Sequence, residues 1–552
     1  MNDEVRTTPV AIVGGGPVGL MLALFLDRHG VASVVFNSEP TVRIHPKGST
    51  HNSRTMEHYR RLGFSADVRK LGLPPDHPTD SVYLTRFNGY ELARLKMPSE
   101  QEKMVAVANS GITDQIPEPI HRANQMYVEQ LLFAQASARP NITMRFGWRV
   151  EDFGQDTSGV SLRTVDEKGR VENWRALYAA GCDGGRSFVR RSLGISYEGH
   201  AALDQEFFGQ NMVSTYFRAP TLYRDFLGQR RAWQYWIVNP ELRTAVVALD
   251  GDSEFILWSR RNNADGPIDD NDIAALARKA AGADIPVEIV AHGPWTGGVA
   301  LHAERFGAGR VWLAGDSIHL FTPTGGFGMN TGVDDAANLA WKLSALVQGW
   351  GGSGLLDSYA LERKPIAVRN TTASRALAKS IGDVKVPPNL EAPGADGDAA
   401  RREVGAFLST FGEEFASVGV QLGARYDGSP IVIADDAPPA DSFTQYSPSA
   451  VPGGRTPHVW IGDGRGPGDS LFDRLGAGLT LLRLGSKPPS ADVFLAAAKK
   501  SGIPLKVFDL PHPQARELYG RDLALVRPDQ HIAWRGDGSA DADAVLARVT
   551  GH

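Results

Sequence analysis

The sequence predicts an α/β protein of several domains. A dinucleotide-binding βαβ unit stands at the N-terminus, an antiparallel sheet is inserted further along, and a smaller α/β unit closes the chain. Three observations predict this. Gly14-x-Gly16-x-x-Gly19 sits between a short apolar run and a helical stretch. Residues 205–260 alternate apolar and polar positions between turn signals. From about Gly453, strand-like and helix-like stretches alternate. The length of 552 residues exceeds one compact core.

In the N-terminal unit, Val10 to Val13 is too short for a helix and reads as a buried strand. Leu20 to Arg28 reads as a helix stopped by Gly30, and Val31 to Phe36 as a second strand. Gly14 allows the tight turn, Gly16 lets a pyrophosphate approach the backbone, and Gly19 lets helix and strand pack closely. Pro17 suits the first helical turn, whose N-terminus faces the phosphates. The second strand of such a unit normally ends in an acid that binds the ribose. Here Asn37 holds that place and Glu39 follows. Two readings stay open: Asn37 accepts from the ribose without charge assistance, or it only starts the turn before Pro40 and Glu39 reaches the ribose.

Two later stretches repeat the pattern of a strand ending in Asp. "YAAGCDGGRSFVRRSLG" ends its strand at Asp183, and "VWLAGDSIHLFTPTGGFGMN" ends its strand at Gly315-Asp316. The second continues into a helix expected to start near Asn330. Val333, Ala336, Ala337, Ala340 and Leu343 share one face, and Asp334 and Asp335 are expected in its first turn, where the helix dipole favours them. Open α/β sheets bind ligands at the carboxyl ends of their strands. So bare a loop between strand and helix points to something lying against its backbone.

Composition bounds the function. Charged residues are 22% of the chain and the net charge is −5, with no basic patch, so no nucleic-acid partner is expected. The single cysteine, Cys182, excludes an internal disulfide, a Cys-x-x-Cys pair and a cysteine zinc cluster, and it fits a reducing cytoplasm. No metal site is expected. The longest apolar stretch, Val10 to Leu26, is broken by four glycines and a proline, so no membrane span or signal is expected.

The glycine motif, "CDGGRSFVRR" and "GDSIHLFTPTGGFGMNTGVDDAANLAWKL" together resemble the FAD-dependent aromatic hydroxylases, the single-component flavoprotein monooxygenases. "LLDSYALERKPIA" and "HPKGSTHNSRTMEHYRRLG" extend the resemblance, with Lys47 where that family usually has Arg. The implied fold is α/β: a discontinuous Rossmann-like FAD-binding domain (1–195 and 290–380), a substrate-binding sheet domain (196–289), a helical segment and linker (381–452), and a thioredoxin-like domain (453–552). The last cannot do thiol chemistry, having no cysteine, and a structural or homodimer-forming role is expected of it. A chain ended near Ser380 is expected to keep flavin binding, since all three motifs precede that point.

The resemblance implies FAD as cofactor, NADH or NADPH as co-substrate, and hydroxylation of a phenolic or polycyclic aromatic by O2 through a C4a-hydroperoxyflavin. It places Gly14, Gly16, Pro17, Gly19, Asn37, Glu39, Lys47, Gln125, Val150, Asp183, Gly315 and Asp316 around FAD. Pro323, Gly326, Gly328, Met329 and Asn330 would lie against the flavin ring, with Gly325, Gly326 and Gly328 leaving room for it. Pro323 is also a candidate at the reacting centre. Arg186 and Arg190 are candidate coenzyme contacts. Trp233 and Tyr235, assigned with Ile237 to one face of a strand, are candidate substrate contacts. A base near the phenol helps this chemistry. His51 is its first candidate, with His302 and His319 as others. A Baeyer–Villiger oxygenase and a non-catalytic flavin- or ligand-binding protein are the rivals.

Overall fold

The computed structural model describes residues 5–200, 207, 212–260, 269–295, 297, 299–415 and 417–552. Val5–Val13 is the central strand of the nucleotide sheet, parallel to Ser33–Asn37 on one side and Val171–Gly181 on the other. Ile142–Phe146 extends one flank and Val311–Leu313 the other, both parallel. The register decides the site: Val13 lies opposite both Phe36 and Gly181, and Gly181 lies opposite Leu313. Three strands therefore stop level with one another, so the turns that follow them share one edge. The helix Pro17–Arg28 starts on Pro17 and buries Val18 to Leu26.

The second sheet has seven strands. Met212–Arg218, Gln234–Val238, Arg243–Ala248 and Glu254–Arg260 supply its centre, as the alternation predicts. The start of that alternation, 205–211, lies largely outside the described residues. The expected limits of 196–289 are too narrow. Ser81–Leu84 joins in parallel beside Gln234–Val238, Glu91–Leu95 follows it, and Glu288–Trp295 pairs with Met212–Arg218. Strand pairing across a long sequence separation has no local signal.

The C-terminal sheet orders its strands Leu505–Leu510, Leu479–Leu484, Leu523–Val526, Ile532–Gly536. The first two are parallel and the rest antiparallel, with the helix Asp492–Lys500 as crossover. Its core does not close on itself. Leu479, Leu481, Phe494, Leu525 and Val549 form one apolar cluster with Trp341, Ala345, Trp350 and Leu355 of the nucleotide domain. The Gly352 and Gly354 N–H groups donate to the Thr550 and Gly551 carbonyls at 2.7 and 3.1 Å.

The helix after the glycine loop begins at Phe327, so Asp334 and Asp335 stand two turns inside it, where they are buried and not dipole-stabilised at its start. Arg363, wholly buried, donates to Asp335 at 2.8 Å and Asp334 at 2.5 Å. Arg54 donates to Asp334 (3.3 Å), Glu57 (2.9 Å), Gln530 Oε1 (2.7 Å) and the Asp529 carbonyl (2.7 Å). Arg455 pairs with Glu57, and Arg527 grips Glu362 with two bonds of 2.6 and 2.8 Å. Lys342 adds a 2.6 Å bond to Glu362. Burial pushes the Glu362 carboxyl up, but Arg527 and Lys342 outweigh it and hold it below the usual carboxylate range.

The shared core and these pairs count against the expectation that a chain ended near Ser380 keeps flavin binding. Truncation after Ser380 bares Trp341, Trp350 and Leu355 and removes Arg455 and Arg527. The truncated chain should aggregate, or melt well below the full chain by circular dichroism; equal melting would contradict a shared core. A second expectation concerns acid. Burial holds His29, His51 and His458 at about 3 and His58 and His531 at about 4, against an ordinary 6.5. Below 6.5 the unfolded chain therefore binds more protons than the folded one, and stability falls as pH falls. Tm should decline from about pH 6.5 downward, before the paired carboxylates titrate; a Tm flat to pH 4.5 would contradict this.

Candidate functional site

The turns that follow these strands lie along one edge of the sheet. Gly14 has φ +114°, and a Cβ there would stand 2.3 Å from the Cys182 carbonyl oxygen. A Cβ on Gly19 would meet the Gly14 oxygen at 1.9 Å, so strand and helix touch backbone to backbone. At Gly16 a Cβ would meet nothing within 4 Å. That is the one open position of the turn, and it lies at the N-cap of the helix. A phosphate needs this combination: free backbone N–H groups, a helix start and no side chain in the way.

Asn37 is half-buried and faces this turn. Its Oδ1 accepts from the Gly15 N–H at 3.2 Å, and its Nδ2 donates to the Glu39 carbonyl at 3.1 Å. The Glu39 side chain is exposed. Asp183, half-buried just past the strand Val171–Gly181, accepts from Ser187 Oγ and from the Val189 N–H at 3.1 Å, and burial raises its pKa. Asp316 is exposed at the strand end, while its carbonyl accepts from the Tyr197 hydroxyl at 2.5 Å. Gly315 (φ +67°) and Gly332 both pack on Val18; a Cβ would meet Val18 Cγ2 at 2.9 and 2.6 Å. Gly332 and Val18 carry no sequence signal beyond their place in the motifs.

Asn330 clamps the glycine loop. Its Oδ1 accepts from the Asn52 N–H at 2.9 Å, and its Nδ2 donates to the Thr50 carbonyl (2.9 Å) and the Gly326 carbonyl (2.6 Å). Gly325 and Gly326 have φ of +76° and +65°, and added Cβ atoms would strike Phe327 and Thr50 at 2.5 and 2.8 Å. Local backbone geometry already requires those two glycines. A Cβ on Gly328 would make only an ordinary contact, 3.4 Å from Phe321. Met329 is half-buried against the core. Gln125 opens a helix capped by Asn124 and donates to Glu129, whose pKa burial raises. Asn124 also bonds the Lys47 backbone, leaving the Lys47 side chain exposed. Val150 is buried in the core.

A cavity of about 680 Å³, partly open to solvent, lies between this loop and the second sheet. Gly48 to Thr50, Pro323, Gly325 and Gly326 form one side, and Trp233, Gln234, Trp236 and Trp258 the other. Tyr235 is not among its walls. It is fully buried in the apolar core and accepts from the Ala232 N–H at 2.7 Å. Alternation along the strand sends Gln234 and Trp236 to the cavity and Tyr235 and Ile237 to the core. Trp233, just before the strand, escapes that rule, which is why grouping it with Tyr235 fails.

None of the candidate bases lines the cavity. His51 is fully buried between the Tyr59 hydroxyl and the Ala123 carbonyl, each at 3.1 Å, and burial pushes its pKa down to about 3. His319 is locked on Asp335 at 2.6 Å, and His302 lies near Glu198. Arg190 is buried, its guanidinium 3.8 Å from the Tyr197 ring centre, whereas Arg186 is exposed. Among the described residues, no helix is long and apolar enough to cross a membrane, and no group of three or more His, Cys, Asp or Glu is arranged to hold a metal.

A glycine turn open to a phosphate, joined to an aromatic cavity under a second glycine loop, defines a dinucleotide-cofactor enzyme acting on flat ligands. Comparison with known proteins narrows the class. Residues 7–374 match the model of an FAD binding domain, and residues 449–552 match that of the aromatic-ring hydroxylase C-terminal domain. The chain belongs to the FAD-dependent aromatic-ring hydroxylases, flavoprotein monooxygenases that act on aromatic substrates. It is 30% identical to an FAD-dependent monooxygenase of Emericella nidulans, over 100% of this chain and 91% of that one. It is 31% identical to a putative polyketide hydroxylase of Streptomyces halstedii, over 98% and 96%. The rebeccamycin biosynthetic enzyme RebC, solved with reduced flavin, superposes with a TM-score of 0.88 at 31% identity, over 99% of this chain and all of that one.

Asn37 gives the test of this geometry. Asn37→Ala removes the bond to the glycine turn, worth about 1 kcal/mol. FAD affinity, titrated into apoprotein, should fall about fivefold with little change in Tm. Unchanged affinity would show that the bond does not shape the turn.

Proposed function

We propose that the chain hydroxylates a phenolic, polycyclic aromatic with O2 and NADH or NADPH. The observation that carries this reading is the cavity itself. Three tryptophans face a floor of Pro323, Gly325 and Gly326, an aromatic lining that suits a flat ring system. The likeness to the putative polyketide hydroxylase of Streptomyces halstedii supports the same substrate class.

The open Gly16 turn, the exposed Asp316 and the clamped loop fit FAD. In this reading Gly14 to Gly19 with Pro17 hold the pyrophosphate, Asn37 borders the adenosine end, and Asp316 takes the ribityl hydroxyls. Pro323 to Asn330 face the ring. When bound, FAD supplies the activation of O2. The chain's part is to bind and orient: the tryptophans fix the plane of the substrate and exclude water, and the Asn330 clamp keeps the loop at a fixed height. Of the two candidate arginines, only Arg186 is free on the surface to meet a nicotinamide coenzyme.

Asp316→Ala should lose a charge-assisted bond worth about 1.5–3 kcal/mol and weaken FAD at least roughly tenfold. Full FAD content and unchanged affinity would remove Asp316 from the site. For the reaction, hydroxylated naphthalenes and anthraquinones should stimulate NADH or NADPH oxidation more than phenol does, with a hydroxylated product by mass. A lactone or ester product would favour Baeyer–Villiger chemistry, and bound flavin without stimulated oxidation would favour a binding protein.

A further inference from the structure

Asp316 is exposed, and among the described residues no side chain bonds its carboxylate. Its direction is therefore set by its own backbone. That backbone is a single short turn, Gly315–Ser317, and each of its residues has a separate anchor. The Gly315 N–H donates to Asp335 at 3.2 Å, and Ser317 Oγ donates to the Gly181 carbonyl at 2.8 Å. Between them the Asp316 carbonyl accepts from the Tyr197 hydroxyl at 2.5 Å, 119 positions away in the chain.

Tyr197 is itself firmly held. It opens the strand Tyr197–His200, which runs antiparallel to Ala300–Ala303. That strand pairs in turn with His319–Leu320, just past Asp316. The backbone of the tyrosine and the segment it grips thus share one three-stranded sheet. Arg190, 7% exposed, covers the ring, its guanidinium 3.8 Å from the ring centre. Its NH1 donates to the Gly185 carbonyl at 3.0 Å, and the Tyr197 hydroxyl lies 3.4 Å from the same oxygen. Gly185 faces Leu320, whose Cδ2 a Cβ there would meet at 2.9 Å. One hydroxyl therefore stands between the turn after Asp183 and the turn of Asp316. Burial raises the Tyr197 pKa; Arg190 opposes this, and Asp316 and Asp183 add to it. The hydroxyl stays protonated and remains a donor at any working pH.

We propose that Tyr197 is a positioning residue for the cofactor: through the Asp316 backbone it sets the direction in which the Asp316 carboxylate meets the ribityl hydroxyls. A bond to a carboxylate weakens steeply when its geometry is lost. With its carbonyl released, the Asp316 turn can rotate and part of that bond goes. This inference rests on the reading of Asp316 given above and adds the residue that makes the acid effective. Tyr197 lies outside all three strand-end motifs.

The test is a double-mutant cycle on FAD affinity, titrated into apoprotein and read by flavin fluorescence. Tyr197→Phe keeps the ring and its stacking on Arg190 and removes only the hydroxyl. It should weaken FAD about fivefold, with the apoprotein Tm unchanged. In an Asp316→Ala background the same change should weaken FAD no further, because no carboxylate is left to place. Equal losses in the two backgrounds would show that Tyr197 serves the fold alone and would overturn the proposal, as would full affinity in Tyr197→Phe. Should the Tyr197→Phe apoprotein not fold, the rate of FAD release from the four holoproteins decides in the same way. Unchanged affinity in Asp316→Ala is a different result: it fells the reading of Asp316 itself, and the proposal with it.

Discussion

The structure depends on a network of buried charges that begins at the cofactor cleft and ends in the C-terminal domain. Asp335 accepts the Gly315 N–H at 3.2 Å, directly beside the exposed Asp316. It also takes His319 and Arg363. Arg363 passes the chain of contacts to Asp334, Asp334 to Arg54, Arg54 to Glu57, and Glu57 to Arg455. A second branch runs from Lys342 through Glu362 to Arg527 and Asp529. The position of the strand-end Asp is thus tied, bond by bond, to residues far along the sequence.

Burying so many charges costs free energy unless each is matched. Here they are. Arg54, Lys342, Arg363, Arg455 and Arg527 meet Glu57, Asp334, Asp335, Glu362 and Asp529, five cations against five anions. Asn338 and Ser429 fill remaining acceptor positions on Glu362 at 2.8 and 2.6 Å. Removing one member leaves a neighbour unpaired, a loss of about 3–5 kcal/mol in comparable buried pairs. Such a network specifies one docking of the C-terminal domain more sharply than apolar contact does. The loop Arg527–His531 shows the constraint: Gln530 holds a left-handed φ of 63°, uncommon outside glycine, and from there its side chain accepts from Arg54. A domain without cysteine therefore has a clear structural use, as the far half of a shared core and charge network.

The same tertiary logic reassigns individual residues. The loop glycines read as clearance for a ring, yet Gly325 and Gly326 are demanded by their own backbone angles and by Phe327 and Thr50. The aspartates of the following helix read as dipole partners, yet they are the acceptors of Arg363. His51 reads as a base, yet burial beside two hydrogen-bond partners makes it a neutral strut. In each case the residue type was informative and its partner was not, because the partner lies tens or hundreds of positions away.

Sequence alone determined the α/β class, the βαβ unit with its glycine turn, the central strands of the second sheet and the cysteine-free C-terminal unit. These are local matters: strand and helix periods, turn chemistry and spacing all act within about 30 residues. The three strand-end motifs were legible for the same reason. Tertiary structure alone decided which strands complete the second sheet, and that Trp236 and Gln234 face the cavity while Tyr235 does not. It also decided that the C-terminal domain completes the core and charge network around the cofactor domain. Side-chain facing depends on register, and buried charge pairing depends on which distant groups fold into reach; neither leaves a periodic mark in the sequence.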